Sequence, residues 1–285
     1  MNIAYFVATR KKLGFSQKEL SDGICTQATL SRFEKNGQIP AVKTLIQLCN
    51  RLNISLGELF PKVEPVQNEL KRKMEAIEFN LITAEYQTAW ESLATINETE
   101  IKDTTQRLDY LYLKGFLLIY TKQELADALF SFSQIIAEAN PQQRLYQLLA
   151  LTGSGMIYTR RQELEKADFY FNRVLHQIYE YPVQTTTDVW RVLNIVYHCG
   201  AFYASTGDYE TSNALLNYAL EICSSNHVTY YVARIAFCLA KNAQQQKAGK
   251  KQVLEYLNDA RAFARINHNH NKLAEIQAFQ AELEA

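Results

Sequence analysis

A spaced set of small and aromatic residues recurs through the second part of the chain, and it limits the possible folds more than any other feature. Gly155 is followed by Tyr158, Ala167 and Phe171. Gly200 is followed by Tyr203, then by Gly207-Asp208-Tyr209, Ala214 and Tyr218, and a weaker copy runs from Gly115 to Ala128 and Phe132. Around these points apolar residues return at helical spacing, as in Leu70, Met74, Ile77 and Leu81, or Leu254, Leu257, Ala260 and Phe263. Each copy reads as a pair of helices: small residues let the two approach closely, and aromatics fill the groove between them. One such pair cannot bury its own apolar face, so pairs must stack into a curved solenoid. Strand-like alternation between hairpin turns is absent, and the chain is expected to be all-α. Five pairs are predicted near 67–96, 104–139, 142–180, 186–224 and 228–266, with a last helix near 270–284.

The Gly155 copy resembles the tetratricopeptide repeat at its Gly, Tyr, Ala and Phe positions. The interval from Gly155 to Gly200 is 45 residues, against about 34 in the standard repeat. Trp90 and Trp190 read as repeat-core residues.

Residues 10–60 have a different texture. Ser16-Gln17-Lys18-Glu19 is a capping box, so a helix starts at Gln17 with Leu20 facing inward. Gly23 relieves the following turn, and Thr26 caps the next helix. In that helix Leu30 and Phe33 face inward, which leaves Gln27, Ala28, Thr29 and Arg32 outward. Asn36-Gly37 ends it with residues that tolerate positive φ. Pro40 is expected in the first turn of a fourth helix with Leu45, Leu48 and Leu52 inside. Ser55-Leu56-Gly57-Glu58 is another capping box, opening a short fifth helix. Residues 1–60 hold eight basic and four acidic residues, a net +4, so the remainder carries −4 in a chain with 30 of each. A basic head on an acidic body suits a head that meets phosphates.

Such a helix presents its N-terminal residues to base edges in a major groove. A glutamine such as Gln27 can pair with adenine and an arginine such as Arg32 with guanine, while Thr29 can offer its methyl to thymine or its hydroxyl to a base edge and Ala28 stands on the same outward face. Gln17, at the preceding helix start, is placed for a phosphate. Arg10, Lys11, Lys12 and Lys43 would add backbone contacts. Arg10, Gly14, Ser16-Gln17, Glu19-Leu20, Leu30-Ser31, Phe33-Glu34, Gly37, Pro40 and Leu59 resemble the pattern of the lambda-repressor-like helix-turn-helix family, also called the xenobiotic-response-element (XRE) family.

Joined to the repeats, this head makes the chain similar to the quorum-sensing regulators grouped as Rgg, PlcR and PrgX, in size and order most like PlcR. That resemblance implies a cytoplasmic homodimer that binds double-stranded DNA at a palindromic operator. It also implies a short signalling peptide held by the repeats that changes DNA binding. The expected organisation is a DNA-binding domain over 1–61, a linker over 62–66 bracketed by Pro61 and Pro65, and a repeat domain over 67–285 for peptide binding and dimerisation. An extended peptide needs partners for its amides, and asparagines on helix faces supply both donor and acceptor. Asn194 and Tyr197 precede Gly200 at offsets that face the groove in tetratricopeptide domains. Arg160, Arg191, Tyr231, Arg234 and Asn242 are the other candidates, with Arg160 suited to a peptide's terminal carboxylate.

Other chemistry is set aside. His198 and Cys199 point about 100° apart on a helix, a poor arrangement for sharing a proton. His268-Asn269-His270 reads as a solvated turn rather than a metal site. No metalloprotease, phosphate-loop or dinucleotide motif occurs, so neither enzyme activity nor a cofactor is expected. The five cysteines are scattered with no Cys-x-x-Cys pair, as in a reducing compartment. No apolar run reaches the roughly 18–20 residues needed to span a bilayer. The rival functions are a helix-turn-helix regulator whose repeats dock a protein partner without any pheromone, and a pure interaction protein.

Overall fold

The computed structural model describes residues 2–59, 69–121 and 123–284. The chain forms two compact units, Met1–Gln67 and Asn68–Ala285. The linker expected over 62–66 lies outside the described residues. Among those residues all regular structure is helical.

Among the described residues the first unit has five helices: α1 (Ile3–Lys12), α2 (Gln17–Ser21), α3 (Gln27–Asn36), α4 (Val42–Arg51) and α5 (Leu56–Leu59). Both halves of the Ser16–Glu19 capping box form, and Thr26 accepts from the Thr29 amide. Gly37 closes α3 at φ 69°, where a side chain would be strained. Leu20, Leu30, Phe33, Leu45, Leu48 and Leu52 are buried, and Phe6 meets Phe33 edge to face at 5.1 Å. Pro40 is not in the first turn of α4: Ala41 is the cap and Val42 the first helical residue, so the proline belongs to the incoming extended segment. There its fixed φ and missing amide cost nothing.

The second unit contains five helix pairs and a terminal helix. The pairs are α6 (Glu69–Ile82) with α7 (Tyr86–Ala94), α8 (Thr104–Tyr120) with α9 (Leu125–Glu138), and α10 (Arg144–Arg160) with α11 (Leu164–Ile178). They continue with α12 (Thr186–Thr206) and α13 (Tyr209–Ser225), then α14 (Val232–Gln245) and α15 (Lys250–Ile266); α16 (His270–Glu284) ends the chain. The glycines act as the repeat pattern requires. A Cβ on Gly155 would lie 2.8 Å from the Phe171 ring, and one on Gly115 would lie 2.5 Å from the Phe132 ring. Each aromatic therefore occupies the volume that a side chain on the facing helix would need.

Long-range polar contacts tie distant pairs of this stack together. Arg191 on α12 makes two 2.8 Å bonds to Glu78 on α6 and one of 2.6 Å to Asp109 on α8. Arg234 on α14 donates to the Ile82 carbonyl at the end of α6, at 2.9 Å. The first pair thus reaches the fourth and fifth.

Candidate DNA-reading face and ligand cavity

In the head, the sequence places a carboxylate under α3 and gathers donors around it. Glu34 accepts from Arg10 at 2.6 and 2.9 Å and from the Gln17 side-chain amide at 2.8 Å. Arg10 also donates to the Phe15 carbonyl, at 2.7 Å. Arg10 is buried in this pair, so it is not available to a phosphate as the sequence suggested. Its work is to fix α1, the start of α2 and α3 to one another. Arg51 performs a similar task from α4, donating to the Leu20 carbonyl at 3.1 Å and the Asp22 carbonyl at 2.5 Å.

Above this frame, Gln27, Ala28 and Arg32 are exposed and Thr29 is partly buried. The Gln17 side chain bridges inward to Glu34 and outward to Gln27, whose amide lies 3.5 Å from the Gln17 oxygen. The Thr26 and Thr29 hydroxyls are 2.9 Å apart. Arg32 and Lys43 are exposed and make no hydrogen bond or ion pair among the described residues. The structure therefore brings Gln17, Gln27, Ala28, Thr29 and Arg32 together on the α2–α3 face. Lys43 stands apart, in the first turn of α4. A braced framework beneath and an exposed, unpaired Arg32 beside Gln27 above are what readout of base edges needs.

In the repeat unit the seven predicted residues divide. Tyr197, Arg234 and Asn242 line one cavity of about 330 Å³ between α12, α14 and α16. Arg191 does not line it. The guanidinium is buried between Glu78 and Asp109 and lies over the Tyr146 and Tyr112 rings at 4.8 and 5.3 Å. Arg160 is exposed, and its guanidinium is engaged by the Ile119 carbonyl. Asn194 and Tyr231 are buried outside the cavity lining, and among the described residues the Asn194 oxygen makes no hydrogen bond. Asn242 donates to Ser212 and Asn213, each at 2.8 Å.

Sequence reasoning missed Lys241, Lys272 and Phe237, which line the same cavity. Arg234 and Lys241 are seven residues apart, two turns of one helix, so their common face was legible. Lys272 comes from α16, and no spacing rule connects it with α14. His198 and Cys199, weighed earlier as a catalytic pair, are embedded. Burial holds the Cys199 thiol well above its usual range. Desolvation, with Arg234 and Arg160 nearby, pushes His198 down to about 3. The His198 ring shares a 2.6 Å hydrogen bond with the Tyr120 hydroxyl.

These features define a helix-turn-helix module joined to a helical repeat unit with its own cavity. Residues 8–59 match the family described as Helix-turn-helix. No curated protein matches the sequence. Among solved structures, PlcR of Bacillus thuringiensis, determined with the peptide PapR7 and DNA, aligns with a TM-score of 0.60 at 15% identity, covering 99% of this chain and 98% of that one. The competence regulator ComR of Streptococcus vestibularis aligns in its apo form with a TM-score of 0.57 at 14% identity, over 98% of this chain and 97% of ComR. Its complex with the cognate signalling peptide XIP aligns with a TM-score of 0.55 at 15% identity, over the same shares. The chain thus has the fold of PlcR and ComR from end to end. No helix among the described residues is long and apolar enough to cross a membrane.

Proposed function

We propose that the chain is a sequence-specific DNA-binding transcription regulator that works in the cytoplasm as a homodimer, and that its repeat domain, residues 67–285, takes a short signalling peptide that alters DNA binding. The observation that carries this reading is the α3 face: Gln27, Ala28, Thr29 and Arg32 stand outward over a locked Arg10–Glu34–Gln17 frame. One such module makes few base contacts, and pairing two half-sites multiplies specificity. The cavity lined by Tyr197, Arg234 and Asn242 supports the peptide part. It combines aromatic, cationic and amide side chains, within the range of about 300–1,000 Å³ usual for ligand sites. PlcR and ComR were crystallised with peptides on the same fold, which supports the same assignment here. No catalytic step is part of this proposal.

The test is a selection from random duplexes by the purified full chain, followed by fluorescence anisotropy on the enriched sequence. Arg32→Ala is expected to weaken binding of that duplex by about 1–3 kcal/mol while leaving random duplex binding nearly unchanged. Failure to enrich any sequence, or equal affinity of the variant for the enriched duplex, contradicts the proposal.

A further inference from the structure

The cavity between α12, α14 and α16 has an electrostatic character that the peptide reading does not by itself supply. Three cations line it: Arg234, Lys241 and Lys272. Their partners within the protein do not balance them. Arg234 is buried, and its guanidinium donates to a neutral carbonyl, that of Ile82. Lys241 lies 4.9 Å from the centre of the Phe237 ring and Lys272 lies 5.3 Å from it, so two ammonium groups pack against one aromatic ring. Among the described residues Glu275 is the one carboxylate paired with any of the three, at 2.6 Å from Lys272. Burial, together with Arg234 and Lys241, holds the Lys272 ammonium below the usual lysine range in spite of Glu275. Cations gathered in a partly desolvated site without matching negative charge favour an anion.

The surrounding residues narrow the anion's class. Tyr197, Tyr209 and Phe237 supply aromatic walls, and Asn242 contributes an amide. Such walls suit an apolar side chain next to a charged group, as at the end of a peptide, better than a bare inorganic ion. We infer that this cavity binds a carboxylate of the peptide ligand between Arg234, Lys241 and Lys272. The inference rests on the peptide reading and specifies its chemistry. It also moves the carboxylate away from Arg160, whose guanidinium is taken up by Ile119. Because Lys272 belongs to α16 and the other two cations to α14, the bound carboxylate ties the terminal helix to the last repeat.

The test uses the full chain, immobilised, and three pools of random heptapeptides labelled with dansyl, which carries no carboxylate. The first pool lacks Asp and Glu and has free C-terminal carboxylates. The second is the same pool amidated. The third is amidated with one Asp or Glu per peptide. A charge-assisted pairing worth about 1.5–3 kcal/mol predicts that the first or the third pool is retained at least about tenfold over the second, and which one it is identifies the carboxylate's source. The Lys241→Gln variant, altered at an exposed position, and Lys272→Met are expected to erode that preference while keeping wild-type helical content by circular dichroism. Equal retention of all three pools, or a preference that persists unchanged in both variants, overturns the carboxylate assignment and leaves the peptide reading standing. Retention of no pool overturns the peptide reading, and the carboxylate assignment falls with it.

Discussion

At the scale of single residues, the two parts of the molecule use arginine differently. Arg32 projects from α3 without an ion pair among the described residues, whereas Arg10 is buried against Glu34. An exposed arginine costs the fold little and is available to a base. A buried one orders the elements around it, and its removal strands the opposite charge. Arg10→Met is therefore expected to lower the stability of the head by about 3 kcal/mol. Urea denaturation of the full chain, followed by a probe in the head, measures the loss; an unchanged midpoint would show that the pair carries no such role. His198 makes the opposite case, a group held neutral. Its folded pKa of about 3 lies below the ordinary 6.5, so as pH falls the unfolded chain takes up a proton first. Stability is full above about pH 6.5 and declines toward pH 3, with about 1–2 kcal/mol lost by pH 5. His198→Gln should flatten the fall in melting temperature between pH 7 and pH 5. A slope equal to that of the unaltered protein would assign the acid sensitivity to other groups.

At the scale of elements, the hairpins depend on close helix contact at the glycines. Gly155→Ala puts a methyl group into the Phe171 ring and is expected to cost about 1–3 kcal/mol through overpacking, read as a lower thermal midpoint of the repeat unit. A midpoint equal to the wild type would mean that α10 and α11 can separate without loss. This contact was legible because glycine and phenylalanine at fixed offsets imply it. The pair limits were legible for a related reason: helical periodicity fails at each joint, and caps such as Thr185 and Asp208 stand there. The turn chemistry was not. Gly207 takes positive φ as a glycine should, but the equivalent turns place Ala84 at 70°, Gln162 at 61° and Lys247 at 55°. Those residues carry no local signal for a left-handed conformation, and packing of the flanking helices imposes it. The candidate site shows the same limit. Residues on one helix face, such as Gln27 and Thr29, follow from α3's own period. The Arg191–Glu78 pair spans 113 positions, and Lys272 joins Arg234 only through tertiary packing, so neither could be read from spacing. Pro40 was misplaced, lying just before the cap instead of inside the helix, because proline suits the segment before a helix as well as its first turn.

At the scale of the whole molecule, the head and the repeats are separate compact units, and each has polar contacts that fix its own arrangement. In the repeats, Arg191 joins α12 to both α6 and α8, and Arg234 joins α14 to the end of α6. These few polar groups tie the first pair to the fourth and fifth, and a ligand at Arg234 bears on a contact that spans the first and last pairs. Regulation requires that the ligand favour one arrangement of the chain over another, since a ligand with equal affinity for both shifts neither. The most direct measurement is the affinity of the full-length protein for its selected duplex as a retained peptide is titrated to saturation. Coupling of about 1–3 kcal/mol predicts a change of at least about fivefold in duplex affinity, with a reciprocal change in peptide affinity when duplex is present. Duplex affinity that stays constant through peptide saturation would contradict control of the α3 face by the repeats.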